Sequence, residues 1–112
     1  MIRLIQRRLI IPQGDTGRFT IPIQGTMESG DKALISIYDN LTHTVVLEEE
    51  MTINEDTLTY DFKSSDTINL EPDDRGNRYS WDITLKRGEN IDSYYAAFTL
   101  LPCVIKRVTR NV

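Results

Sequence analysis

Tyr79-Ser80-Trp81-Asp82-Ile83-Thr84-Leu85-Lys86 alternates four apolar side chains with four polar ones, the cleanest such run in the chain. A period of two sends one set to a buried sheet face and the other to water. Strands of this kind are usually antiparallel, because parallel sheets bury both faces and read as continuous apolar runs. Working outward, the same period recurs in Phe19-Thr20-Ile21-Pro22-Ile23, in Ile35-Ser36-Ile37-Tyr38 and in Leu58-Thr59-Tyr60-Asp61-Phe62. Between these runs lie turn clusters: Gln13 to Gly17, Glu28 to Asp31, Asp39-Asn40, Asn54 to Asp56, Pro72 to Asn77 and Arg87 to Asn90. Their Gly, Asn, Asp and Pro residues supply the backbone conformations that turns require. The pattern predicts strands near 3–11, 17–24, 32–38, 44–52, 57–62, 78–87 and 95–101, with a further one at 103–109.

Ser64-Ser65-Asp66-Thr67-Ile68-Asn69-Leu70 breaks the period. Ser and Asp are helix N-cap residues and Pro72 ends any helix soon after, so the segment predicts one helical turn near 64–70, crossing from one sheet to the other. At 112 residues there is room for one domain and too little for two. The expected architecture is a single all-β domain over residues 1–112, an Ig-like antiparallel β-sandwich of about seven to eight strands. Its expected core is Phe19, Ile21, Ile35, Ile37, Leu58, Tyr60, Phe62, Trp81, Ile83, Leu85, Phe98 and Leu100, with Trp81 as the anchor.

Charge is distributed unevenly. Lys and Arg number 13 against 17 Asp and Glu, a formal net charge of −4, which argues against a nucleic-acid partner. Arg3, Arg7 and Arg8 at one end, and Lys106, Arg107 and Arg110 at the other, stand without an acid among them. The stretch between holds the remaining 7 basic and all 17 acidic residues, a net of −10. First and last strands of Ig-like sandwiches often lie side by side, so both basic ends are expected to share one edge of an acidic body. Charged edge strands resist unwanted pairing. The same charges also suit a docking surface for an acidic partner, including the body of another copy. No apolar run approaches the roughly 20 residues that span a bilayer, and arginines occupy the place of a signal peptide's apolar stretch.

Candidates for chemistry are few. His43 is the only histidine and sits on a predicted turn, so no His pair exists for a metal, and no nucleophile or orienting acid is marked beside it. Cys103 is the only cysteine, excluding an intrachain disulfide, and reads as a structural thiol. Glu48-Glu49-Glu50, Glu55-Asp56 and Asp73-Asp74 are acidic clusters, but none fits a calcium loop, and clustering along the chain does not show acids converging on a cleft. Gly14-Asp15-Thr16-Gly17 lacks the Gly-Lys-[Ser/Thr] ending of a phosphate loop and leads into a strand rather than a helix. As an aspartic-protease motif it would need a second carboxylate from another lobe or subunit. It reads as an inter-strand turn. No metal and no cofactor is expected, and no enzymatic constellation is visible.

An ordered set of motifs does resemble a known family. Gly14-Asp15-Thr16-Gly17-Arg18-Phe19-Thr20-Ile21-Pro22 is similar to the opening of small Ig-like phage modules, the N-terminal domain of baseplate upper proteins in siphophages of Gram-positive bacteria. Asp66-Thr67-Ile68-Asn69-Leu70, then Tyr79-Ser80-Trp81-Asp82-Ile83-Thr84-Leu85, then Phe98-Thr99-Leu100-Leu101-Pro102 resemble that family's later motifs in the same order. The segment Glu71 to Arg78 is longer and more charged than the short turn of that pattern. The resemblance implies a virion or prophage tail component, made in the bacterial cytoplasm, that docks onto other tail proteins or further copies of itself and performs no chemistry. Neither nucleic acid nor membrane insertion belongs to that reading. Arg3, Arg7, Arg8, Lys106, Arg107 and Arg110 are then the expected contact residues. The rival is a carbohydrate-binding Ig-like module using the surface tyrosines Tyr94 and Tyr95.

Overall fold

Alternating β-branched and aromatic residues need a sheet with one face buried, and the computed structural model supplies it. It describes residues 1–23, 27–93 and 101–108, with backbone alone at 90–93. In chain order the elements are β1 (Arg3–Ile5), β2 (Arg8–Pro12), β3 (Gly17–Pro22), β4 (Lys32–Asp39), β5 (Thr44–Ile53), β6 (Thr57–Phe62), α1 (Ser64–Thr67), β7 (Tyr79–Arg87), β8 (Asn90–Ser93) and β9 (Leu101–Lys106). The strands run β1-β2-β9-β7-β4-β5-β6-β3, with β8 paired beside β7. This path folds over on itself at β5, whose first part pairs with β4 and whose Thr52 and Ile53 pair with β6. Two layers result, an all-β sandwich close to a barrel, with the expected helical turn crossing between β6 in one layer and β7 in the other.

Between the layers lies the core. Phe19, Ile21, Ile35, Ile37, Leu58, Tyr60, Phe62, Trp81 and Ile83 are buried as the alternation predicts, and Leu85 is half-buried because β7 is reaching its exposed end there. Phe98 and Leu100 lie outside the described residues, as does most of the strand expected over 95–101. Leu9, Ile11, Ala33, Leu47, Met51, Tyr79, Cys103 and Ile105 complete the packed cluster. Phe19 of β3 meets Trp81 of β7 edge to face, ring centroids 5.7 Å apart, which fastens one layer to the other.

Three details differ from the sequence expectation. The strand expected over 3–11 is two strands, joined by a two-residue turn at Gln6 and Arg7 with φ of 50° and 67°. The stretch after Gly88, read as a turn, goes on to form β8, which returns along β7 as a hairpin. Finally, β2 pairs with β9 in parallel, Leu9 opposite Cys103 and Ile11 opposite Ile105, so among the described strands the pairing is antiparallel except at this seam. Nine strands are therefore described where seven to eight were expected.

The loop between β2 and β3 is pinned to the helical turn. Gln13 Nε2 donates to the carbonyls of Ile68 and Leu70, and the Gly14 N–H donates to Thr67 Oγ1 at 2.8 Å. Gly14 has φ +74°, a left-handed conformation that favours glycine, and a Cβ there would also make the tip of the Ile68 side chain shift, since it would stand 2.6 Å from Cδ1. At the helix start, Asp66 accepts the Lys63 N–H and the Tyr60 hydroxyl, satisfying an orphan donor. Gly14, Asp66-Thr67, Phe19 and Trp81, drawn from the motifs that carry the family resemblance, thus make structural contacts within the sandwich.

Candidate functional site

Register decides which charges share a face. Arg3 stands opposite Ile10 and Ile5 opposite Arg8 across β1 and β2. Ile10 stands opposite Val104 and Pro12 opposite Lys106 across β2 and β9. Leu9, Ile11, Cys103 and Ile105 point into the core. Alternation therefore puts Arg3, Ile5, Arg8, Ile10, Pro102 and Lys106 together on the outer face of the sheet. Arg3 and Arg8 are diagonal neighbours, about 7–8 Å apart at the backbone. Both are exposed, and Ile5 beside them keeps 45% of its surface in water. Ile5, Gln6, Arg8, Ile10 and Pro102 line a shallow hollow of about 230 Å³ on this face.

The other expected contact residues divide. Arg7 sits at the tip of the β1–β2 turn, and its carbonyl accepts the Trp81 indole N–H at 3.1 Å. Arg107 lies past the end of β9, where its N–H donates to Asp74. Arg110 lies outside the described residues. Beside Lys106 and Arg107, the charged loop before β7 lies against the sheet. Asp73 forms a bridge to Ile105, and its carboxylate accepts the N–H groups of Arg75, Asn77 and Arg78. Gly76 comes so close to Val104 that a Cβ would meet its Cγ2 at 3.0 Å. Val104 is consequently buried from the outside, and acids border that end of the basic face. Among the described residues, Arg3, Arg7, Arg8, Lys106 and Arg107 take part in no ion pair, and neither do Lys63, Arg75 and Lys86 elsewhere, whereas Arg18, Lys32, Arg78 and Arg87 each do.

A second surface was not visible in the sequence. Ser36 of β4 stands opposite Glu48 of β5 on one side and Asp82 of β7 on the other. The two carboxylates thus flank a serine across three adjacent strands, about 10 Å apart at the backbone. Leu34, Tyr38, Val45 and Thr84 join them to line a groove of about 260 Å³. Burial, together with the neighbouring Glu48, raises the Asp82 carboxyl above the ordinary carboxylate value. Among the described residues neither Glu48 nor Asp82 has a cationic partner. The alternation of β7 gave Asp82 an outward direction, but only the strand pairing brings Glu48 to it.

The remaining candidates for chemistry occupy structural positions. His43 is exposed on the β4–β5 turn with φ 59°. Cys103 is fully buried, and burial pushes its thiol up to about 12, so it is a poor nucleophile at neutral pH. Gly14 to Gly17 forms the β2–β3 turn, as its sequence suggested. Tyr94 and Tyr95 of the carbohydrate reading lie outside the described residues. No group of three His, Cys, Asp or Glu among the described residues is placed to hold a metal ion, and no helix there is long and apolar enough to cross a membrane. Comparison with family models, with curated proteins and with solved structures finds no match to this chain.

Proposed function

We propose that this chain is a non-enzymatic structural module of a phage or prophage tail or baseplate, docking onto acidic protein surfaces through the outer face of β1, β2 and β9. The observation that carries the docking reading is the Arg3–Arg8 pair. Two guanidinium groups stand on one ordered face beside an exposed isoleucine, with no ion-pair partner among the described residues. Arginine's fork suits carboxylates, and unspent charge on a face with apolar neighbours favours a protein partner over bare solvent. Assignment to a phage particle rests on the ordered motifs from Gly14 to Pro102. Residues of those motifs hold the layers and the helical turn together, so a shared motif order speaks for a shared framework. Synthesis in the bacterial cytoplasm, with later incorporation in the virion, goes with this reading.

A short polyglutamate peptide serves as the probe. Titrated calorimetrically, it is expected to bind the protein at low ionic strength, and to weaken as salt screens the face. Arg3→Glu/Arg8→Glu/Lys106→Glu should weaken binding by roughly tenfold or more. Binding that survives the triple reversal overturns the reading.

A further inference from the structure

We infer that the acidic groove over β7, β4 and β5 of one copy receives the Arg3–Arg8 face of a second copy, so that copies join head to tail. This rests on the docking reading and names its partner. The charges on the two faces are opposite: the Arg3 and Arg8 guanidinium groups, with Lys106 farther along the same face, on one, and the Glu48 and Asp82 carboxylates on the other. Neither pair has a counter-charge among the described residues of its own chain, so each leaves a field that a partner can neutralise. Apolar surface matches too. Ile5 stands exposed opposite Arg8 and next to Arg3 on the same face, and Leu34, Tyr38 and Val45 line the groove together with the acids. Asp82 gains most, because a neighbouring guanidinium would offset both its partial burial and the repulsion from Glu48.

Geometry selects the arrangement. Both faces lie on the outer side of one continuous sheet, so they cannot meet within one molecule. Adjacent strands rotate by about 20–25°, so from β1 to β5 the surface turns through roughly 100° or more. A surface so twisted is poorly matched to itself in a flat two-fold stack. A face on one copy and a different face on the next is a heterologous contact, which continues until it closes into a ring or extends as a filament.

The test is light scattering after size exclusion, on the whole chain and on two neutralised variants, Arg3→Gln/Arg8→Gln and Glu48→Gln/Asp82→Asn. All four substitutions fall on outward-facing side chains, and unchanged thermal melts confirm the fold. At about 20 mM salt the unsubstituted protein should show masses above the dimer, climbing with concentration or levelling at that of a closed ring, and at about 300 mM it should fall back to 12.9 kDa. Each variant alone should be monomeric. Mixed, they should give a species of twice the chain mass and nothing larger, because each retains only one working face. A discrete dimer of the unsubstituted protein, association untouched by either variant, or no pairing on mixing overturns the inference. If the protein stays monomeric yet still binds polyglutamate, the head-to-tail contact fails and the docking reading stands. Loss of both overturns both.

Discussion

Gln6 and Arg7 hold left-handed backbone conformations, φ 50° and 67°, in a turn that elsewhere is made from Asn-Gly or Asp-Gly. Residues with a full side chain occupy that region at a cost of about 1 kcal/mol. The Trp81 indole N–H, donated to the Arg7 carbonyl from the core, helps hold the turn in place. Nothing in Leu4 to Leu9 marks a turn by composition, which is why the segment reads as one strand. Gln6→Asn with Arg7→Gly should relieve the strain and stabilise the protein by about 1 kcal/mol, raising Tm by about 4 °C or more in a domain of this size. A melt that does not move would show that the turn carries no strain. The core residues, by contrast, were legible one by one. Phe19, Trp81 and Ile83 announce their direction through neighbours of opposite polarity, and their burial agrees with it.

Among the elements, β5 shows how the sandwich avoids uncontrolled pairing. Among the described residues it is paired over most of its length on one side, with β4, while Thr52 and Ile53 pair with β6. Glu49, opposite Ile35, stands in the inward-facing row between Leu47 and Met51, yet it is exposed at this open edge. A charge on the core side of an edge strand penalises any strand that would add there and bury it. Glu49→Val should leave the melting temperature equal or higher while increasing aggregation, measured by turbidity and static light scattering. Unchanged solubility would assign edge protection to some other feature. The Glu48-Glu49-Glu50 run was legible as a solvated cluster, but its division into an outward Glu48 and an edge-guarding Glu49 depends on register with β4. Register is non-local and does not appear in a one-dimensional pattern. The same limit hid the parallel seam: β2 and β9 were expected as neighbours, yet their relative direction comes from the path of the chain between them.

For the whole molecule, two ion pairs tie distant loops to the sheet. Arg78 forks onto Asp39, which also accepts the N–H groups of Leu41 and Thr42, and Arg87 forks onto Asp31. The Arg78 guanidinium holds the Asp39 carboxyl at about 2, and the Arg87 guanidinium does the same for Asp31, against an ordinary 3.8. Since folding depresses both values, the stabilisation is fully present above about pH 4 and disappears as pH falls through about 2. The part of Tm that these two pairs supply should therefore be level above pH 4 and decline between pH 4 and pH 2. Asp39→Asn should lower the plateau and shallow the decline, because one titrating group is gone. An equal slope in the variant would remove Asp39 from the account.

The parallel seam has a consequence in time. Leu9 and Cys103 are 94 positions apart, so β2 cannot meet β9 until almost the whole intervening chain has been made and arranged. Contacts of such span close late and slow the search for the native state. The β1–β2 hairpin that aligns Arg3 with Arg8 is local, but Pro102 and Lys106 join its outer face only when this seam closes. On the docking reading proposed above, only the chain that has closed this seam sets the β1–β2 hairpin against β9 and so carries the whole proposed face.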